Sequence, residues 1–339
     1  MNTTEIRREA KQRLQGSWGL GNGAIWLAMI LPLIPIFTIT PLFGPIELGL
    51  DQLIRIFFAA PLTVGVRWIF LGVIDREKKD IGSLFDVFRN YWRVIGITFI
   101  SGLFITLWSL APLIPALIIG GLVLALAFAI ESVVIVILGI LIMIIPSTFF
   151  AIWARIRYAQ ATYILKDNPT MDFMATITKS KELMKGNLWA YFKLELFFWI
   201  WYLPLFIFAV FTIGTMIAVF VPHLNAISRY AHHPAMLEMF IMNVIDDVLL
   251  MGVGLAVIGL LISGLYALGI TFYIGPYQAA AKAMFYRKLN SQKVSHEDGF
   301  QAEETFEFYS NSPRPVEMNV EEISSNDHSE YGLRDPDED

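Results

Sequence analysis

Glu195, Arg67, Arg157 and Glu131 are ionisable residues that fall in or at the ends of long apolar runs of this 339-residue chain. A charge held in hydrocarbon costs roughly several kcal/mol unless it meets a partner or water, so such residues mark pairs, proton paths or substrate sites. Glu195 lies seven residues past Leu188, and Arg67 lies seven before Ile74. At about 1.5 Å per residue, both stand roughly 10 Å inside the same face of the apolar slab. An ion pair between their two segments is geometrically allowed, and Arg157 competes for the same carboxylate. Three readings are open. One is a proton- or substrate-coupled site around Glu195, Arg67 and Arg157; another is a purely structural pair. In the third, the arginines reach back to the headgroup layer and Glu195 sits in a wet vestibule.

Glu131 is mid-span if the chain turns at Gly120-Gly121 and at the outer surface if it turns at Glu131-Ser132. The glycine pair is the expected turn, with Glu131 in a surface or partly wet setting. His223, His232, His233, Glu238 and Asp246 form an outward group with metal-ligand chemistry. Adjacent histidines on a helix point roughly 100° apart, however, so His232 and His233 share a metal poorly and an ordinary loop is expected. No GxxxxGK[ST], HExxH, GxSxG or GxGxxG stands in the chain. Nucleotide-driven chemistry and the common hydrolase sites therefore have no sequence footing, no cofactor is implied, and the protein is expected not to be an enzyme. With no cysteine, disulfide and thiolate chemistry are excluded.

The elements that must position these charges are apolar helices. Hydrophobic residues are 56% and charged residues 16% of the chain, where a soluble domain carries about 25% charged residues. Several runs exceed the roughly 20 residues that cross about 30 Å of hydrocarbon. The expected fold is all-α: a polytopic membrane protein with six spans, at residues 20–43, 53–74, 94–118, 122–145, 188–221 and 248–276. The first run follows Arg7, Arg8, Lys11 and Arg13 as in a signal peptide, but it is too long and carries Pro32, Pro35 and Pro41, so it reads as an uncleaved span. Pro204 near the middle of the long fifth run predicts a tilt or kink. Gly252, Gly254, Gly259, Ser263, Gly264 and Gly269 in the sixth predict close helix approach.

Three short amphipathic helices alternate with the spans. In residues 4–15, Ile6, Ala10 and Leu14 share a face, with Thr4 as the expected N-cap and Gly16 as the stop. The second lies within residues 75–93, where Ser83 with Asp86 is the expected capping box and Leu84, Phe85 and Phe88 the apolar face. In the third, Asn168 is the expected N-cap, Pro169 the first helical residue and Gly186-Asn187 the stop. Phe173, Met174, Ile177 and Met184 fall on one side. These helices hold much of the basic charge and are expected at the cytoplasmic surface, near anionic lipid headgroups.

Charge sets the expected orientation. With both termini inside, the inner segments hold 18 Lys and Arg and the outer loops only Arg229, which predicts an N-in/C-in protein. Residues 290–339 carry 14 acidic and 3 basic residues and read as a disordered acidic cytoplasmic tail. The expected organisation is an amphipathic helix over 1–19, a six-span domain over 20–289 and this tail. The inward exits PLTVGVRWIFLGVID, ARIRYAQATYILKD and PYQAAAKAMFYRKL share small residues, a cation and bulky side chains. They suggest a repeated two-span unit, or simply the residues all inward helix ends draw on.

IRREAKQRLQGSWG, the PLTVGVRWIFLGVID exit, YAQATYILKDNP, KSKELMKGNLWAYFKLELFFWIWYLP and the closing YIGPYQAAAKAMFY together resemble the domain-of-unknown-function 975 (DUF975) family of bacterial integral membrane proteins. The resemblance covers residues 5 to about 288. It departs in a longer apolar insertion around 112–145 and in the acidic tail. It implies a multi-helix protein of the bacterial cytoplasmic membrane and brings no catalytic or ligand-binding residues.

The leading expectation is a non-enzymatic accessory or scaffold protein that meets lipid headgroups, or a protein partner through its cytoplasmic helices or acidic tail. Nothing points to nucleic acid. The alternative is a transporter or channel for a small or lipid-like substrate, with a site near Glu195, Arg67 and Arg157.

Overall fold

The computed structural model describes residues 1–38, 52–230, 236 and 252–311, with side chains as far as 217 and 293 in the last two long stretches. The helices are α1 (Thr3–Arg13), α2 (Trp18–Ile30), α3 (Leu33–Thr38), α4 (Ala60–Ile74), α5 (Tyr91–Leu110), α6 (Leu113–Ala129), α7 (Val133–Arg157), α8 (Ala161–Asp167), α9 (Phe173–Met184), α10 (Leu188–Trp199), α11 (Leu203–Tyr230) and α12 (Gly254–Asn311). Among the described residues there is no strand, and six helical stretches are long and apolar enough to cross a membrane. The chain is thus an all-helical membrane protein. It divides into two units, Met1–Ser291 and Gln292–Asp339. α12 continues as helix to Asn311, past residue 290, where composition gave no helical expectation.

α4 is the central span. Of its most apolar window 61% is buried, against 6–22% in the other five, so it packs on protein where the others face outward. A π-helical turn, Arg55–Ala59, leads into it just before Pro61. Pro61 lacks the N–H an α-helix would use there, and the irregular turn absorbs the mismatch. Gly65 allows the 3-10 helix Ile81–Asn90 to lie on α4, since a Cβ there would stand 2.4 Å from the Leu84 carbonyl oxygen.

The glycine pair is not a turn. α6 runs through Gly120-Gly121 to Ala129, and the chain reverses at Glu131, whose φ of 51 is left-handed. A Cβ on Gly120 would meet Met143 at 2.6 Å and the Gly139 carbonyl oxygen at 3.0 Å. Gly120 and Gly139 are therefore notches that let α6 and α7 cross closely. The sixth-span glycines behave otherwise: Gly259 approaches Thr212, while Gly254, Gly264 and Gly269 have open space around them. The fifth run breaks where its proline predicts, through a 3-10 turn over Ile200–Tyr202 just before Pro204.

The short helices are real, but their caps and faces shift. Asn2, not Thr4, caps α1, accepting from the Thr4 amide at 3.0 Å. Ile6, Ala10 and Leu14 are all fully buried, so this stripe docks on the bundle instead of lying free on lipid. The second element is a 3-10 helix capped by Asp80, with Ser83 as the reciprocal partner. Its three-residue repeat buries Leu84 and Val87 and leaves Phe85 exposed. Asp172 caps α9 through the Met174 amide at 3.0 Å. Asn168 instead closes α8, its amide donating to the Ile164 carbonyl at 2.8 Å. α9 buries Ile177, Leu183 and Met184 and exposes Met174. Gly186, with φ +81, ends it as the sequence indicates.

Candidate functional site

The three similar exits meet. At one end of the bundle Arg287 of α12 donates to Asp75 through Nε at 2.8 Å and Nη2 at 2.6 Å. The same guanidinium donates to Asp167 at the end of α8, whose carboxylate also accepts from the Tyr286 hydroxyl at 2.6 Å. A planar fork with five donors is suited to bridging two carboxylates, so one residue ties the ends of three apolar segments. Around this node Trp68 Nε1 donates to the Thr162 carbonyl at 2.9 Å, and Lys166 donates to the Trp68 carbonyl at 3.1 Å. α1 is clamped to the same end by Lys288, which pairs with Glu5 and Glu9 at 2.9 and 2.8 Å. Arg7 lies 3.7 Å over the Phe197 ring.

A layer deeper, the polar chemistry opens into a cavity of about 530 Å³. Lys282 and Gln278 lie five and nine residues before Arg287 on α12, about 8 and 14 Å further along the helix. Lys282 Nζ pairs with Glu195 Oε1 at 2.8 Å, and Gln278 Nε2 donates to Oε2 at 3.0 Å. Both carboxylate oxygens of Glu195 are thus engaged, which offsets the cost of holding the charge inside a span. Arg67 faces the same cavity and donates from Nη1 to Thr162 Oγ1 at 3.1 Å. Arg155 of α7 also lines it. Tyr163 and Tyr191, both buried, are part of the wall. Behind them Tyr163 stacks on Tyr286 with centroids 5.3 Å apart, so the aromatic layer separates cavity from ionic node.

Glu195 and Arg67 thus converge on one cavity, but the ion pair between the second and fifth runs is not made: the sixth run supplies Lys282 instead. Arg157 is not in the cavity. Its guanidinium lies 4.8 Å over the Trp153 ring, and its carbonyl accepts from Ser180 at 3.1 Å. Arg155 takes its place, because two residues on a helix are about 200° apart. Glu131 is exposed at the far turn of the α6–α7 hairpin, remote in sequence from the others. The side chain of His223 and all of His232, His233, Glu238 and Asp246 lie outside the described residues. Among the described residues no group of three His, Cys, Asp or Glu could hold a metal.

Sequence reasoning missed Lys282, Gln278 and Arg155. Lys282 and Arg155 fall among the basic residues of the inner segments, where helix ends commonly carry cations. The available signal was the Gln278/Lys282 spacing of four, which puts both on one helix face.

A second cavity, about 570 Å³, lies beside the 3-10 helix and is lined by Lys79, Arg89, Arg93, Lys166, Ser83 and Asp86 among others. Arg93 donates to the Met171 carbonyl at 2.9 Å. Glu77 is 2.9 Å from Lys79 and 3.9 Å from Lys166. The hydrogen bond from Lys79 holds the Glu77 carboxyl below the ordinary carboxylate range.

The model of a family described as "Protein of unknown function (DUF975)" matches residues 1–293. No curated protein and no solved structure matches the chain.

Proposed function

We propose, from the premise that the chain belongs to the DUF975 family of proteins of unknown function, that it takes a small or lipid-like substrate into the cavity around Glu195, Arg67 and Lys282. It would act as a transporter or channel, without a covalent reaction. The supporting observation is that these charges border one cavity of about 530 Å³ where a purely structural pair would be packed dry. In this reading the ionic node faces the cytoplasm of a bacterial cell and both termini lie on that side, as the Lys and Arg distribution favours.

The test is flux in proteoliposomes holding the full chain, across a panel of small anions, cations and labelled lipids. Flux of at least one class above protein-free vesicles, reduced about tenfold or more by Glu195→Gln or Lys282→Gln, is expected. No flux of any class, or flux untouched by both variants, overturns the reading.

A second reading, an accessory protein docked on headgroups or a protein partner, is favoured by the basic cavity at Lys79, Arg89, Arg93 and Lys166. Here the cytoplasmic helices and the acidic tail, not the inner cavity, do the work. A pulldown from native membranes decides it. A partner retained by the full chain and lost on Arg89→Gln/Arg93→Gln supports this reading, and no reproducible partner counts against it.

A further inference from the structure

The charges around the inner cavity do not balance. Lys282 and Gln278 occupy both oxygens of Glu195, so its carboxylate is already committed. Arg67 and Arg155 remain, and neither touches a carboxylate among the described residues. Arg67 donates only to the neutral Thr162 hydroxyl, and Arg155 lines the rim with an exposed side chain. Three cations against one carboxylate leave the lining with two positive charges.

The neutral lining combines polar and apolar residues. The hydroxyls of Thr98, Ser101 and Tyr163, residues of the lining, are buried without a hydrogen-bond partner among the described residues, and Tyr163 as a whole is only 2% exposed. Their oxygens are closed to solvent, so they belong to the shell of the cavity and not to its open surface. Ile105, Ile152, Leu196 and Trp199 give the lining its apolar part, and both Leu196 and Trp199 are 43% exposed.

We infer that the cavity binds the phosphate-bearing headgroup of an anionic membrane amphiphile. Arg67 and Arg155 clamp the phosphate as paired forks, since guanidinium geometry matches its oxygens. The acyl chain leaves along Leu196 and Trp199. Glu195 is a positioning residue that holds Lys282 in the wall. The inference rests on the substrate-binding reading above and names its ligand class.

The experiment is native mass spectrometry of the full chain in detergent, titrated with short-chain phosphatidylglycerol, phosphatidylcholine and inorganic phosphate. Arg67→Gln, Arg155→Gln and, as a charge-matched control on the exposed end of α9, Lys185→Gln are compared with the parent. Phosphatidylglycerol is expected to bind about tenfold or more tightly than phosphatidylcholine, a gap that Arg155→Gln closes and Lys185→Gln leaves intact. Because Arg155 is exposed at the rim, its variant keeps the test valid should Arg67→Gln fail to fold. Equal binding of the two lipids overturns the inference, as does an equal loss in the Lys185 control. Saturation by inorganic phosphate at the concentration that saturates the lipid overturns the amphiphile and leaves a free anion. Flux of an uncharged substrate with no preference for anionic lipid would sink this inference while the transport reading stands. Lipid binding without flux would do the reverse.

Discussion

α7 is buried at one end and bare at the other. Ala154 is fully buried and Ile156 is 7% exposed, whereas Val133 and Val134, at the start of the helix, are 72% and 67% exposed. The same contrast runs through the molecule. At the ionic end Ile69, Phe70, Leu71, Ile164, Phe198, Phe285 and Tyr286 form one closed core, stitched by Arg287 to Asp75 and Asp167. Towards the far end the α6–α7 hairpin and α11 present Leu122, Phe128, Val133, Phe206 and Phe211 outward. A lipid tail is as apolar as a leucine, so burial against protein brings little extra there and close packing at glycine notches does the joining. Where polar groups enter the apolar slab each must find a partner, and partners impose a fixed arrangement. The rigid end is therefore the polar end, and the cavity sits within it.

The largest test of this contrast is a paired truncation. Phe70→Ala at the closed core should cost about 3–5 kcal/mol, while Ile118→Ala on the exposed face of α6 should cost under about 0.5 kcal/mol. Thermal unfolding in detergent of the two variants measures both, and equal shifts would erase the distinction between the regions. Next, Arg287→Gln should cost about 2–3 kcal/mol, because it leaves Asp75 and Asp167 facing each other at a partly buried node. With no native cysteine, Ile74→Cys, buried beside the node at 3% exposure, should then label faster with a charged thiol reagent when combined with Arg287→Gln than when alone.

Glycines offer a finer probe. Gly65→Ala forces a Cβ against the Leu84 carbonyl and should cost about 1–3 kcal/mol, with earlier hydrogen exchange in 81–90, while Gly121→Ala, with open space around it, should be neutral or slightly stabilising. At the far turn Glu131→Gly relieves a left-handed non-glycine residue and should move the melting temperature by less than the equivalent of about 1 kcal/mol. The smallest effect concerns pH. The Glu77 carboxyl is held down in the folded protein by its bond from Lys79, so folding gains from it above the unfolded value, roughly pH 4, and loses that gain as pH falls through the lower folded value. Because Glu77 is half-exposed, Glu77→Gln should flatten the acid limb of the stability curve by no more than about 0.5 kcal/mol. A larger effect would mean the surface pairs stiffen this end more than its core does.

The charged and glycine residues show how far the sequence could be read. The number of apolar stretches and the short helices between them were legible, while the turn between the third and fourth stretches was not. Each legible feature depends on the length of an apolar run or on its period, and those quantities are local and additive. Glu195 and Arg67 stood out because each is an ionisable residue within an apolar run, and both line the inner cavity. Their partners did not, because Lys282 and Arg155 lie where helix ends normally carry cations. Which of Arg155 and Arg157 enters the cavity depends on how α7 is rotated against α5 and α10.

What the sequence by itself determined is therefore an all-helical membrane protein with six apolar stretches, short connecting helices and ionisable residues within its apolar runs. Only the tertiary structure decided that Gly120 is a packing notch and Glu131 the turn. It alone showed that α1 buries its stripe on protein and that Glu195 is held from the sixth run while two arginines stay uncompensated. The physical reason is that hydropathy and helical period fix an element's length and face, whereas the partner of a buried charge or a glycine depends on which neighbour arrives and at what rotation. That information is shared among helices distant in the chain and written in none of them.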